Sequence, residues 1–261
     1  MSHDFLPAIA IFAAGLAAGT INTVVGSGTL ITFPTLLALG YPPVLANVSN
    51  NVGLVPGVAS GVYGYRAELA GQRKRIIRLG SASLCGGLLG AILLLVLPAG
   101  AFKAIVPVLI GIALVMVVFQ PRLSKWVAAR QRTQSPPLSQ GAALEVGGPV
   151  LWVLVFLSGV YGGYFGAAQG VLLIGLMGVA FTDTLLRINA VKNVLAGLVN
   201  GVAAVVFIIA THIDWGVAGL IACGAILGGQ LGARIGRKLP PWGLRVLIIC
   251  VGVAALAKLL A

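Results

Sequence analysis

The sequence predicts an all-α integral membrane protein, a bundle of about eight transmembrane helices in two repeated halves, each with a broken helix. Hydrophobic residues make up 59% of the chain and charged residues only 8%, whereas soluble domains carry about 25% charged residues. The mean hydropathy is +1.07. The 261 residues leave room for roughly eight spans of about 20 residues with short loops, and for no sizeable soluble domain.

The first half, residues 1–120, opens with a run without charge from Phe5 to Tyr65. This run is too long for one span, and Gly-rich or Pro-rich segments divide it at 24–29 and at 40–43. The apolar stretch continues past Ala18, so we expect a retained first span and no cleaved signal peptide. The predicted elements are a span at 6–25, a half-length piece at 30–39, and spans at 44–65, 79–97 and 104–119.

A basic linker loop at 121–145 separates the halves and contains a Ser-Pro-Pro run. The second half, residues 146–261, again begins with a long stretch without charge, which breaks near 167–170. It predicts one span and a half-length piece before the polar turn at Asp183 and Arg187. The remaining predicted spans are 188–210, 215–233 and 242–260.

Basic residues lie between the apolar runs and give the chain a formal net charge of +12. In a membrane protein they are topology signals and contacts for anionic lipid, so we expect no nucleic-acid partner. The loop after the second span and the linker are the most basic, which predicts that both are cytoplasmic. An even number of spans then places both termini in the cytoplasm. The turn at 234–238 falls outside, against the positive-inside rule.

The two halves resemble each other at a fixed offset of 142 residues, which aligns Gly28 with Gly170, Asn47 with Asn189 and Asn51 with Asn193. Interrupted segments at matching positions of two repeats are typical of secondary transporters and indicate the substrate site. The sequence leaves open whether the repeats are parallel or inverted.

The apolar spans lack the groups of other function classes. They hold no paired carboxylates, no cluster of metal ligands and no Gly-Lys-Ser/Thr phosphate loop. The three cysteines stand singly inside apolar runs and predict neither a disulfide nor a metal site. We therefore expect no enzyme activity, no cofactor and no metal.

Neutral polar residues collect instead at the breaks and on the two Asn-bearing spans. A helix that starts at a Gly-rich break presents backbone N–H groups and the positive end of its dipole, which favour an anion. Lys192 supplies a positive charge near them. The candidate anion site consists of Asn22, Thr23, Ser27, Gly28, Thr29, Asn47, Asn50, Asn51, Gln169, Gly170, Asn189, Lys192 and Asn193. Two structural alternatives stay open: the Asn side chains could only tie helices together, and Lys192 could extend to the membrane interface.

Two stretches carry a resemblance to a known family. GTINTVVGSGTLITFPTLLALGYPPVLANVSNNVGLVPG, residues 19–57, and YGGYFGAAQGVLLIGLMGVAFTDTLLRINAVKNVLAGLVNG, residues 161–201, resemble the two halves of the TauE/SafE sulfite exporter family. The Gly-rich run after the first span is shortened here to Gly26-Ser27-Gly28.

The resemblance implies a multi-pass permease of the bacterial inner membrane that moves sulfite, an organosulfonate or a related sulfur-containing oxyanion. We expect a secondary transporter of a small inorganic or organic anion, surrounded by membrane lipid. The alternatives are a passive anion channel and a membrane partner protein that transports nothing. The sequence does not predict the direction of transport, the coupling ion or the oligomeric state.

Overall fold

The computed structural model describes residues 5–133, 147–235 and 241–260, and all regular structure within these ranges is helical. The bundle is built from long helices and three short ones. The helices are α1 (Phe5–Val24), α2 (Thr29–Ala38), α3 (Pro43–Gly64), α4 (Arg73–Val96), α5 (Ala99–Thr133), α6 (Pro149–Tyr164), α7 (Gln169–Ala180), α8 (Leu185–Ala210), α9 (Trp215–Ile235) and α10 (Pro241–Leu260).

Five segments within these ranges are long and apolar enough to cross a membrane: α1, α4, α8, residues 100–126 of α5 and residues 215–234 of α9. The helices α2, α6 and α7 are apolar but shorter. The 10 residues of α2 extend about 15 Å at 1.5 Å per residue, which is half of the hydrocarbon core. A chain with several such segments is a multi-pass membrane protein.

The predicted breaks are confirmed, because regular helix ends before 25–28 and again before 165–168. Two boundaries differ from the prediction. The third span begins earlier, at Arg73, and α5 continues to Thr133, so the first part of the predicted linker is helical. The rest of that linker, residues 134–145, lies outside the described residues.

After each break the chain turns back. Pro7 and Ile11 in α1 line the same cavity as Leu39 and Tyr41, which follow α2. Likewise, a Cβ atom built on Gly147, just before α6, would lie 3.4 Å from the ring of Phe181, just after α7. We call α1 with α2 the first hairpin and α6 with α7 the second hairpin.

The two hairpins open toward opposite ends of the bundle. At one end, the basic end, Arg75 pairs with Asp183 beyond α7 at 2.9 Å, and Arg187 donates to Ala70 O. The other end holds Asp214, which lines a cavity with Pro7 and Tyr41 at the mouth of the first hairpin. The second hairpin therefore opens at the basic end and the first at the end opposite to it.

This arrangement corrects the predicted topology. Arg66 follows α3 and lies close in sequence to Ala70, at the basic end. Arg234 lines a surface cavity together with Arg66, so it lies at the basic end too. The conflict with the positive-inside rule therefore disappears for Arg234. The remainder of that turn, 236–240, lies outside the described residues. Phe5 begins α1 at the opposite end, and Val251 in the last half of α10 lies near Tyr41. The expectation that the termini share the basic side is wrong, because each hairpin returns to its starting end and adds no crossing.

Glycine allows the long helices to approach closely. In α1, a Cβ atom on Gly15 would lie 2.8 Å from Ile221 O of α9, and one on Gly53 of α3 would lie 2.8 Å from Ala218 O. Small residues at helix contacts let backbones touch where lipid provides no hydrophobic driving force. The helix α9 thus packs directly on α1 and α3, and α4 packs on α6 and α8 in the same manner.

Candidate functional site

The two breaks touch in the interior of the bundle. Gly26 has a φ of +89°, a backbone conformation that glycine adopts readily. Its carbonyl oxygen accepts a hydrogen bond from Gly170 N, in the first turn of α7, at 3.1 Å. A Cβ atom on Gly170 would lie only 2.5 Å from Gly26 Cα. The hairpin tips therefore cross with their backbones in contact, and a larger residue at either glycine would separate them.

The polar face of α8 binds the last turn of α1. Asn189 Nδ2 and Asn193 Nδ2 donate to Thr23 O at 3.0 and 3.3 Å, and Lys192 Nζ donates to Asn22 O at 2.8 Å. The last carbonyls of a helix have no partner within the helix, and cations near them are favoured by the dipole. The predicted spacing of i, i+3 and i+4 thus brings these three side chains to one end of a broken helix.

Lys192 is fully buried, with 0% of its surface exposed. It does not reach the membrane interface, which answers the alternative left open by the sequence. Among the described residues the ion pairs join Asp183 to Arg75 and Arg187, and no carboxylate pairs with Lys192. A buried charge is normally paired, so an ammonium whose hydrogen bond goes to a neutral carbonyl is unusual.

A small polar cavity of about 20 Å³ lies beside this ammonium. Its volume suits about one water molecule. The cavity brings together seven predicted site residues: Asn22, Thr23, Thr29, Gln169, Gly170, Lys192 and Asn193. It does not include the other six: Ser27, Gly28, Asn47, Asn50, Asn51 and Asn189.

The cavity also has walls that the sequence analysis missed: Gly26, Val58, Gly166, Ala196 and Asn200. Asn200 lies seven residues after Asn193 on the same helix, and that spacing of two turns could have indicated it. Val58 and Ala196 carry no polar signal, so only the packing of α3 against α8 identifies them.

Gln169 carries a buried donor without a partner beside the site. It is 3% exposed, it lines the cavity, and its Nε2 atom has no hydrogen-bond partner. A Cβ atom on Gly162 would lie 2.5 Å from that nitrogen, so the glycine leaves room for the side-chain amide. A buried donor without a partner costs about 1–3 kcal/mol, which favours a polar ligand or water beside it.

At the starts of α2 and α7, two of the N–H groups that were expected to be open are bonded within the protein. Gly28 N donates to Asn22 Oδ1 at 2.7 Å, and Gly170 N donates to Gly26 O. Each donor is therefore satisfied within the protein in this structure. An anion could use them only after these bonds open.

The polar face of α3 contacts the tip of the second hairpin, at the end of α6. Asn47 Nδ2 donates to Tyr164 O, at the end of α6, at 3.1 Å. The Oδ1 atoms of Asn50 and Asn51 are buried without a partner. Asn47 thus holds the end of α6 much as Asn189 holds the end of α1, but a neutral Asn50 takes the position that Lys192 has on α8.

Aromatic rings fill the space around the α6 tip. Phe33 packs against Phe165 with ring centroids 5.2 Å apart, and Phe102 packs against Tyr164 at 5.7 Å. All four residues are buried, and Phe102 lies in the first turn of α5. The rings therefore close the interior on the side of the crossing that faces the opposite end of the bundle.

Comparisons with known proteins agree with a transport role. A family model described as sulfite exporter TauE/SafE matches residues 11–259. A probable membrane transporter protein, ORF9 of Sinorhizobium sp, is 28% identical over 253 residues, which cover 96% of this chain and 91% of that protein. YfcA of Escherichia coli K12, also named a probable membrane transporter protein, is 26% identical over 260 residues and 88% of its length. A probable membrane transporter protein of Haemophilus influenzae is 28% identical over 260 residues and 92% of its length. No solved structure matches.

Proposed function

The chain belongs to the sulfite exporter TauE/SafE family of membrane transporters, and we propose that it is a secondary transporter of a small anion. The substrate class is sulfite, an organosulfonate or a related sulfur-containing oxyanion. The observation that carries this proposal is the fully buried Lys192 ammonium, whose bond goes to a backbone carbonyl beside a polar cavity.

The missing counter-charge supports an anion over a neutral solute. Removing an ammonium from water costs several kcal/mol, and a carbonyl dipole returns only part of that. No described carboxylate compensates Lys192. An anion in the cavity would supply the negative charge, and Gln169 Nε2 would donate to one of its oxygens. An oxyanion has both properties, a negative charge and several acceptors.

The closed interior favours a carrier over a passive channel. The cavity has room for about one water molecule, and the rings around Tyr164 and Phe165 lie on one side of it. A carrier exposes its site to one side at a time, so a closed intermediate is expected, whereas a channel needs a continuous path. The relatives named as membrane transporters argue against a partner protein that transports nothing.

We propose that residues 1–120 and 146–261 are inverted repeats joined by the linker 121–145, with eight membrane-embedded segments counted as two hairpins and six spans. The helix contacts support this. Exchanging the first five helices for the last five in order preserves the most extensive helix contacts, since α1 on α9 matches α6 on α4, and α10 on α2 matches α5 on α7. An odd number of full spans per half inverts the second half.

The basic end is proposed to face the cytoplasm of a bacterial inner membrane, by the positive-inside rule. An anion that leaves through the opposite end moves down the membrane potential. This potential contributes about 2.3 kcal/mol per charge per 100 mV, so export requires no coupling ion.

A panel of small anions, screened for thermal stabilisation of the purified protein and for flux in proteoliposomes, tests the proposal. An anion at 100 times its Kd stabilises the folded state by about 2.7 kcal/mol. Lys192→Met is expected to weaken that anion by about 30-fold or more, since breaking a buried charge pair costs at least about 2 kcal/mol. Lys103→Met, at an exposed lysine of α5, is the matched control and should bind normally. Equal affinity of Lys192→Met and Lys103→Met for the anion would refute the proposed site. Ohmic single-channel currents would favour a passive anion channel over a carrier.

A further inference from the structure

Three donors on α8 fix the tip of the first hairpin, and we call Asn189, Lys192 and Asn193 the tip clamp. Two of them are neutral amides that share Thr23 O. The third is the Lys192 ammonium, which holds Asn22 O at 2.8 Å. The clamp therefore contains one charged member whose bond can respond to another charge.

The Lys192 side chain lies between two helix ends of opposite polarity. Its ammonium contacts the carbonyl end of α1, while its Cδ atom would lie 2.9 Å from a Cβ atom on Gly170, at the start of α7. A helix end carries about half an elementary charge. An anion carries at least one full charge, so at a similar distance it would attract the ammonium more strongly than Asn22 O does.

The cavity beside the ammonium must enlarge before an oxyanion fits. Its volume of about 20 Å³ matches one water molecule, and an oxyanion has four or more heavy atoms. The walls include Asn22 and Thr23 of the α1 tip, which are the residues held by the clamp. Moving that tip would both free the ammonium and widen the cavity.

We propose that anion binding draws the Lys192 ammonium off Asn22 O and thereby releases the tip of the first hairpin. Lys192 is then a positioning residue that couples the substrate to the movement of α1, beyond its charge in the site. This inference rests on the proposed function. Within the described residues, the end of α6 in the second hairpin is held by the neutral Asn47 and not by a charged side chain.

Amide hydrogen exchange of the full-length protein in detergent measures the release. The amides of Val25, Gly26 and Gly28 are bonded to Ile21 O and Asn22 Oδ1 within the tip, so their exchange reports its opening. Sulfite, sulfate, taurine and chloride are the probes, and thermal stabilisation identifies those that bind. A binding anion is expected to speed exchange in the peptide 19–28 at least about threefold and to leave the peptide 161–168 unchanged.

Two variants separate coupling from folding. Lys192→Gln carries no charge and is expected to bind the anion more weakly, so each anion is added at about 100 times its Kd for this variant. Its tip is then expected to stay closed although the anion is bound. Asn193→Ala removes one of the two donors to Thr23 O, so its tip should exchange faster at rest and still respond to the anion.

Each outcome decides the inference. A response in the unmodified protein that is lost in Lys192→Gln supports it. An anion that raises the Tm without opening the tip overturns the coupling and leaves the proposed function standing. An equal tip response in Lys192→Gln also overturns the coupling. If no anion in the panel raises the Tm, the proposed function fails and the inference fails with it.

Discussion

Substituting alanine for Gly170 tests the crossing of the two hairpin tips. The added Cβ atom would lie 2.5 Å from Gly26 Cα and 3.0 Å from Gly26 O. Both contacts are with backbone, so no side-chain rotation relieves them. The tips must separate, which stretches the hydrogen bond from Gly170 N to Gly26 O.

The expected loss of stability follows from these two contacts. Overpacking a tight interior site costs about 1–3 kcal/mol. The stretched hydrogen bond adds about 1 kcal/mol. We therefore expect Gly170→Ala to lower the free energy of unfolding by about 2–4 kcal/mol and to abolish anion flux, since the tips frame the cavity.

The assay compares unfolding in detergent and flux in liposomes with those of Gly201→Ala. Gly201 lies in the interior of α8, and no atom would come within 4 Å of its added Cβ. Alanine favours a helix by up to about 1 kcal/mol over glycine, so this control should be neutral or slightly stabilised. If Gly170→Ala were as stable and as active as Gly201→Ala, the tips would not meet as described.

Gly162→Ala should push the flexible Gln169 amide into the cavity and weaken anion binding with little change in Tm, measured by thermal-shift titration; unchanged affinity would contradict the role of Gln169. Asp183→Asn should lower the stability by about 1–2 kcal/mol, because it removes both partly buried ion pairs of the basic end; an unchanged unfolding midpoint would contradict this. In a cysteine-free background, Ala67→Cys and His212→Cys should react with an impermeant thiol reagent from opposite sides of the membrane, and labelling from the same side would refute the topology.

Local features of the fold could be predicted from the sequence because each has a local cause. Gly26-Ser27-Gly28 interrupts the first helix, and the positive φ of Gly26 lies at that interruption. The spacing of Asn189, Lys192 and Asn193 predicted one polar helix face, and the three side chains do bind one helix end. Periodicity and glycine are sufficient for such features.

The direction of the chain after each break could not be predicted in this way. A break followed by an apolar piece of about half a span is compatible with a continued crossing or with a return. Tyr41 lies near Pro7 through packing between residues that are distant in sequence, and no local pattern encodes this contact. The prediction counted the span before each break as a full crossing of the membrane, whereas the chain returns after the break. This reversed the predicted side of the termini.

The partner of Lys192 was unpredictable for a similar reason. The sequence suggested that its charge serves the start of a short helix, whereas its ammonium contacts Asn22 O at the end of α1. The two residues belong to different halves, and the repeat offset aligns Lys192 with Asn50 and not with Asn22. Contacts between repeats depend on how the halves dock, which the internal similarity of each half does not specify.

The two tips occupy equivalent places but differ in chemistry, and this difference bears on the direction of transport. The α1 tip ends in Asn22 and Thr23 beside a charged clamp, whereas the α6 tip ends in Tyr164 and Phe165 among aromatic rings. Inverted repeats with identical tips would present the same site to both sides of the membrane. Among the described residues the α1 tip contacts a buried ammonium and the α6 tip contacts the neutral Asn47, so the two sides of the crossing are unequal. If the proposed anion site is correct, the anion binds on the side of the crossing nearer the basic end. In the proposed export, the aromatic tip would be the barrier that the anion passes last.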